Sequence, residues 1–157
     1  MPDKIILIGH FFAASLLTFV LASLTHSQFV LDGLIQLGIA IPFGDRLAMS
    51  WQDLQGLFPS LGGAISFSLL LAFLCVYGLS RWQQAIAPRL MLLYPLAGAL
   101  AIWLMLTAMQ PIMHITLIAG ARSAAGVLSL SLCGAAGGWL FWYLRSGYIQ
   151  SSSGVTR

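Results

Sequence analysis

The chain has 157 residues, of which 59% are hydrophobic and only 7% charged, with a mean hydropathy of +0.93. Soluble domains carry about 25% charged residues, so a water-soluble enzyme and a disordered linker are both excluded. The 7 Lys and Arg residues are scattered and form no patch, which removes nucleic acid as a partner.

Four stretches are long and apolar enough to cross a hydrocarbon core, which takes about 20 residues for ~30 Å. They are residues 5–24, 61–79, 90–109 and 124–144. None contains a charged side chain, as expected when an Arg or Asp at mid-membrane costs about 2.5–3.5 kcal/mol. Backbone surrounded by lipid must satisfy its own hydrogen bonds, so the spans are helices. The opening stretch has a charged head like a signal peptide. Its apolar run exceeds the roughly 7–15 residues of such peptides, and it is read as a retained helix.

Placing both termini inside puts Lys4, Arg81, Arg89, Arg145 and Arg157 on the cytoplasmic side, against Arg46 and Arg122 outside. That distribution obeys the positive-inside rule and suits a multi-pass protein of a bacterial inner membrane. Trp82, Trp139, Trp142, Tyr77, Tyr143 and Tyr148 would form an aromatic belt at the inner interface. Residues 1–145 then make one membrane domain, and 146–157 a flexible cytoplasmic tail.

The connection after the first span has a pattern of its own. Ile35, Leu37, Ile39, Ile41 and Phe43 alternate with small or polar residues, the period of a strand. Gly44-Asp45 suits a type II′ turn, so residues 35–49 are expected as a β-hairpin. Ser50 and Asp53 resemble a capping box opening a short helix that carries Trp51, Leu54 and Leu57. An isolated hairpin is marginal, and Met113–Ile118 also alternates, offering a third strand. The alternative for that segment is a helix extension broken at Pro111. The expected fold is an all-α integral membrane bundle of four transmembrane helices with a small extracytoplasmic β cap.

Small residues indicate how the helices pack. Gly134 and Gly138 form a G-x-x-x-G pair in the fourth span, while Ala97, Gly98, Ala99 and Ala101 offer a small surface in the third. Such residues let backbones approach closely, within the bundle or, alternatively, in self-association.

Little in the spans can do chemistry. Cys75 and Cys133 differ in depth by about seven residues, ~10 Å of helix rise, too far for a disulfide, and read as small buried hydrophobes. A haem between helices needs two ligands at matched depth. His10 lies near the inner face, whereas His26 and His114 fall in outer loops, so no cofactor and no metal are expected. A proton-coupled multidrug exporter needs a carboxylate inside a span, and none is present. A membrane aspartyl processing enzyme places Asn beside each catalytic Asp, and this chain has no Asn.

What remains is a polar set on the outer face: Asp32, Asp45, Arg46, Asp53, His114, Thr116 and Arg122. Arg122 precedes Ser123, a candidate N-cap of the fourth span, and a helix N-terminus beside an Arg suits an anion. Arg122, Ser123, His114 and Arg46 would then recognise a lipid phosphate or a carboxylate. Alternatively, Arg46 and Arg122 pair with Asp45 and Asp53 and tie the cap to the bundle. The sequence therefore suggests a non-enzymatic accessory or assembly subunit in contact with membrane lipid and another membrane protein. A transport or lipid-handling component with an anion site at Arg122 is the alternative.

Overall fold

The computed structural model describes residues 2–36, 42–82, 90–113 and 123–154. All of its regular elements are helical: α1 (Pro2–Gln36), α2 (Phe43–Leu57), α3 (Gly63–Trp82), α4 (Leu90–Met113) and α5 (Ala124–Gly154). A π-helical turn, Phe58–Gly62, joins α2 to α3 without a break. Pro59 in that turn has no N–H to offer the carbonyl one turn back, and the widened turn absorbs the missing bond. Four helical segments are long and apolar enough to cross a membrane: Ile5–Gln36, Phe43–Trp82, Leu90–Met109 and Ala124–Tyr148.

The helices differ in length, and the difference shapes the molecule. With 24 residues, α4 is ~36 Å long at about 1.5 Å per residue, close to a bilayer core. The 35 residues of α1 reach ~52 Å, and the 40 residues of Phe43–Trp82 reach ~60 Å. These two excesses lie together. The rings of Phe19 and Phe58 are 5.3 Å apart, and farther along Ser27 hydrogen-bonds Asp53. So α2 runs back along the outgoing end of α1, and the two form a helical hairpin.

That hairpin corrects the expected β cap. Among the described residues there is no strand. Ile35 and Gln36 are the last residues of α1, Gly44 and Asp45 lie in the first turn of α2, and Arg46–Met49 are helical. Residues 37–41 lie outside the described residues. Ser50 is in the middle of α2 and does not open it; the helix starts at Phe43, where the Pro42 carbonyl accepts from the amides of Asp45 and Arg46 at 3.1 and 3.2 Å. The physical reason is cooperativity. A helix already formed gains one hydrogen bond per added residue without a new nucleation step, whereas a lone two-stranded ribbon is barely stable. Phe43, Leu47, Trp51, Leu54 and Phe58 also recur at three- and four-residue spacing, a helical stripe.

Three smaller expectations change as well. The proposed third strand begins at Met113, which is helical as the last residue of α4, and α4 passes through Pro111. Residues 114–118 lie outside the described residues. The stretch expected as a flexible tail is helical as far as Gly154. Cys75 and Cys133 are free thiols, but only Cys133 is buried; Cys75 is exposed on the face of α3 that a membrane would cover.

At the centre, α5 is the shared partner. A Cβ on Gly134 would fall on the Gly98 carbonyl, one on Gly98 would fall on the Gly134 carbonyl, and one on Gly138 would strike Tyr94 and Pro95 backbone. Gly137, on the adjoining face, meets the Thr18 hydroxyl and the Ala14 carbonyl of α1. The glycines therefore let α5 approach α4 on one side and α1 on the other, the small-residue packing typical of helices in lipid. Farther along, Phe73 stacks on Phe141 at 4.6 Å, and Tyr94 packs against both at 5.5 and 5.1 Å.

Candidate functional site

The acidic and basic residues singled out in the sequence concentrate on the hairpin. Asp32 is on α1; Asp45, Arg46 and Asp53 are on α2. His114, Thr116 and Arg122 lie outside the described residues. Ser123 is described, and its Oγ accepts a hydrogen bond from the Gly126 amide at 3.0 Å, the geometry of an N-cap. The four residues suggested as an anion site are thus not brought together by the described part of the chain.

The hairpin is held by a polar junction where α2 meets α1. The Ser27 hydroxyl donates to Asp53 Oδ2 at 2.8 Å and also lies 3.1 Å from the Ser23 carbonyl. His26, expected in a loop, is instead a helical residue and only 8% exposed. Its neighbour Asp53 is close enough to act on the ring electrostatically. His26 Nδ1 and Ser23 Oγ are buried without a hydrogen-bond partner among the described residues. One step toward the bundle, Thr25 Oγ1 donates to the Leu21 carbonyl at 2.8 Å and touches Cys133 Sγ of α5 at 3.6 Å. These hydroxyls bonded back to their own helix keep polar groups satisfied on an otherwise apolar rod.

The junction sets the orientation of α2. Arg46, Ser50, Asp53, Leu54 and Leu57 are half-buried, and no residue of α2 is fully buried. Beside this covered arc runs an uncovered one: Phe43 is 82% exposed, Leu47 67% and Trp51 60%, with Phe58 continuing the line. Between that stripe and Leu24 of α1 lies a groove of about 520 Å³, lined also by Gly44, Ala48 and Leu54. The apolar arc of α2 is therefore wider than the strip that α1 covers.

A second constellation went unnoticed in the sequence, where Arg145 counted only as a positive charge. Its guanidinium donates to the Tyr94 hydroxyl and lies 5.6 Å from the Tyr77 ring centre and 5.8 Å from that of Tyr94. The available signal was the run Trp139-Leu140-Phe141-Trp142-Tyr143-Leu144 immediately before an Arg. The rings that receive the guanidinium come from α3 and α4, which no local pattern reveals. His10 and Tyr148 meet edge-to-face at 6.4 Å between α1 and α5.

No family model, no curated protein and no solved structure matches this chain.

Proposed function

We propose that the chain is a non-enzymatic accessory or assembly subunit of a larger membrane assembly, and that α2 is the surface that meets another membrane protein. One observation carries this reading: the stripe Phe43, Leu47, Trp51 stands uncovered by any described part of the chain. The boundaries follow from the charges. If Arg81 and Arg145 mark the inner interface of a cytoplasmic membrane, a ~30 Å core counted from them ends near Leu61 and Ala124. The end of α1 and the first turns of α2, with Phe43 and Leu47, then lie toward the extracytoplasmic side. A contiguous apolar stripe facing water marks an interaction surface. The polar residues Asp45, Gln52 and Gln55 on the same helix supply the rim expected of a protein contact.

The test is site-specific photocrosslinking in native cells. A benzophenone side chain at Leu47 is expected to give one discrete adduct with a second membrane protein. The same group at Leu92, exposed on α4, should give none. Identical patterns at the two positions, or no protein adduct from Leu47, would overturn the proposal.

A further inference from the structure

Arg145 heads a groove on the opposite end of the molecule from the hairpin. The groove has a volume of about 390 Å³ and opens along the cleft between α1 and α3, walled by Leu7, Phe11, Leu70, Phe73 and Leu74. Its polar element is concentrated at one point. Arg145 and the rings of Tyr77 and Tyr94 stand at the head, and Leu70 lies about two turns of α3 away, ~10 Å along the helix axis.

The groups that align the charge at the head are themselves uncharged. The Tyr94 hydroxyl and two ring faces hold the guanidinium; each is an uncharged partner. Of the four acids, Asp32, Asp45 and Asp53 are far off on the hairpin, and Asp3 is in the first turn of α1, at the same end of the molecule as Arg145. A guanidinium held by one acceptor and two ring faces keeps further N–H groups in a fixed plane, the arrangement that binds a phosphate in two-pronged fashion. The apolar trough then runs from that point toward the middle of the four spans. A charged head at the interface with an apolar channel leading inward has the outline of one phospholipid within its leaflet.

We propose that this groove binds an anionic phospholipid, its phosphodiester on the Arg145 guanidinium and one acyl chain along Leu70, Leu74 and Phe11. The site rests on the four spans alone and is independent of what docks on α2. A zwitterionic lipid presents the same phosphate but carries a cation beside it, which the nearby guanidinium repels. The groove therefore selects by net headgroup charge while accepting any chain of suitable width.

Native mass spectrometry of the full-length protein, titrated with phosphatidylglycerol or phosphatidylcholine of identical chains, tests the assignment. Phosphatidylglycerol should bind about tenfold more tightly, the worth of one charge-assisted contact. Arg145→Gln should bring its affinity close to that of phosphatidylcholine, whose own binding falls by less. Leu74→Trp, on an exposed rim of the groove, should weaken both lipids by filling the channel, and it tests the site even if the Arg145 variant does not fold. Equal affinity of the parent protein for the two lipids would overturn the proposal. So would a charge preference that survives Arg145→Gln, or a Leu74→Trp protein that binds both lipids like the parent.

Discussion

The hydroxyl of Ser27 reaches the carboxylate of Asp53 across 2.8 Å and fastens α2 to the outgoing end of α1. It is a contact between residues on two rods that otherwise meet mainly through apolar side chains. It also fixes which side of α2 faces away. A polar clasp of this kind specifies rotation in a way that interchangeable leucines do not.

Breaking the clasp should loosen the hairpin and spare the bundle. Asp53→Ala and Ser27→Ala are each expected to cost about 1–2 kcal/mol, a hydrogen bond to a charged group that is partly exposed. The double variant should cost little more than either single one. Amide hydrogen exchange checks this: protection should fall along α2 and stay unchanged in α4 and α5.

The glycine contacts predict a graded response in α5. Gly134→Ala drives a methyl onto the Gly98 backbone and should destabilise the protein by about 1–3 kcal/mol through overpacking. Gly147→Ala meets nothing within 4 Å and should be neutral or stabilise by up to about 1 kcal/mol through helix propensity. Unfolding in mixed detergent micelles separates the two, and equal losses at both positions would contradict the packing described.

Removing the ring at the centre of the aromatic cluster should be costly. Phe73→Ala deletes contacts to Phe141, Tyr94 and Phe11. Large-to-small changes of this type cost about 3–5 kcal/mol in water-soluble cores. Lipid tails supply no hydrophobic drive between helices, so the loss here should sit at the lower end of that range. The same unfolding assay measures it.

His26 offers a test of a different sign. Nδ1 of the ring is buried without a partner among the described residues, so an apolar replacement of similar size removes a desolvation cost there that offsets the lost interaction with Asp53. His26→Leu should leave stability within about 1 kcal/mol of the parent. A much larger loss in thermal unfolding would show that the imidazole has an essential partner.

The sidedness is checked by labelling. A single cysteine at Gln55, exposed on α2, should react with a membrane-impermeant maleimide in intact cells. One at Trp82, exposed at the end of α3, should react only after lysis. The reverse pattern would invert the orientation read from the basic residues.

The four membrane-length helices were legible because unbroken apolar runs leave the backbone no alternative in lipid. The small residues Gly134 and Gly138 stood out by spacing alone, but their opposite number, the backbone around Gly98 and Tyr94, is a matter of tertiary register. The hairpin was misread because alternation at Ile35 and beyond looked like a strand, while a stripe at Phe43, Leu47 and Trp51 fits a helix. Period two and period 3.6 overlap over such short stretches. The burial of His26 was illegible for a related reason: it depends on α1 continuing outward and on α2 folding back over it. Arg145 looked like one more interfacial cation, since the rings of Tyr77 and Tyr94 that receive it arrive from other helices.

The glycine faces of α5 also bear on the order of assembly. Thr18 and Ala14 of α1 find their seat at Gly137, nearly the whole chain away, and α1 has only a modest interface with the intervening α3. Before α5 is inserted, the first helix therefore has the hairpin partner α2 beside it but not the seat that Gly137 provides. A chain cut short before α5 would leave α1 and α4 without the piece that joins them.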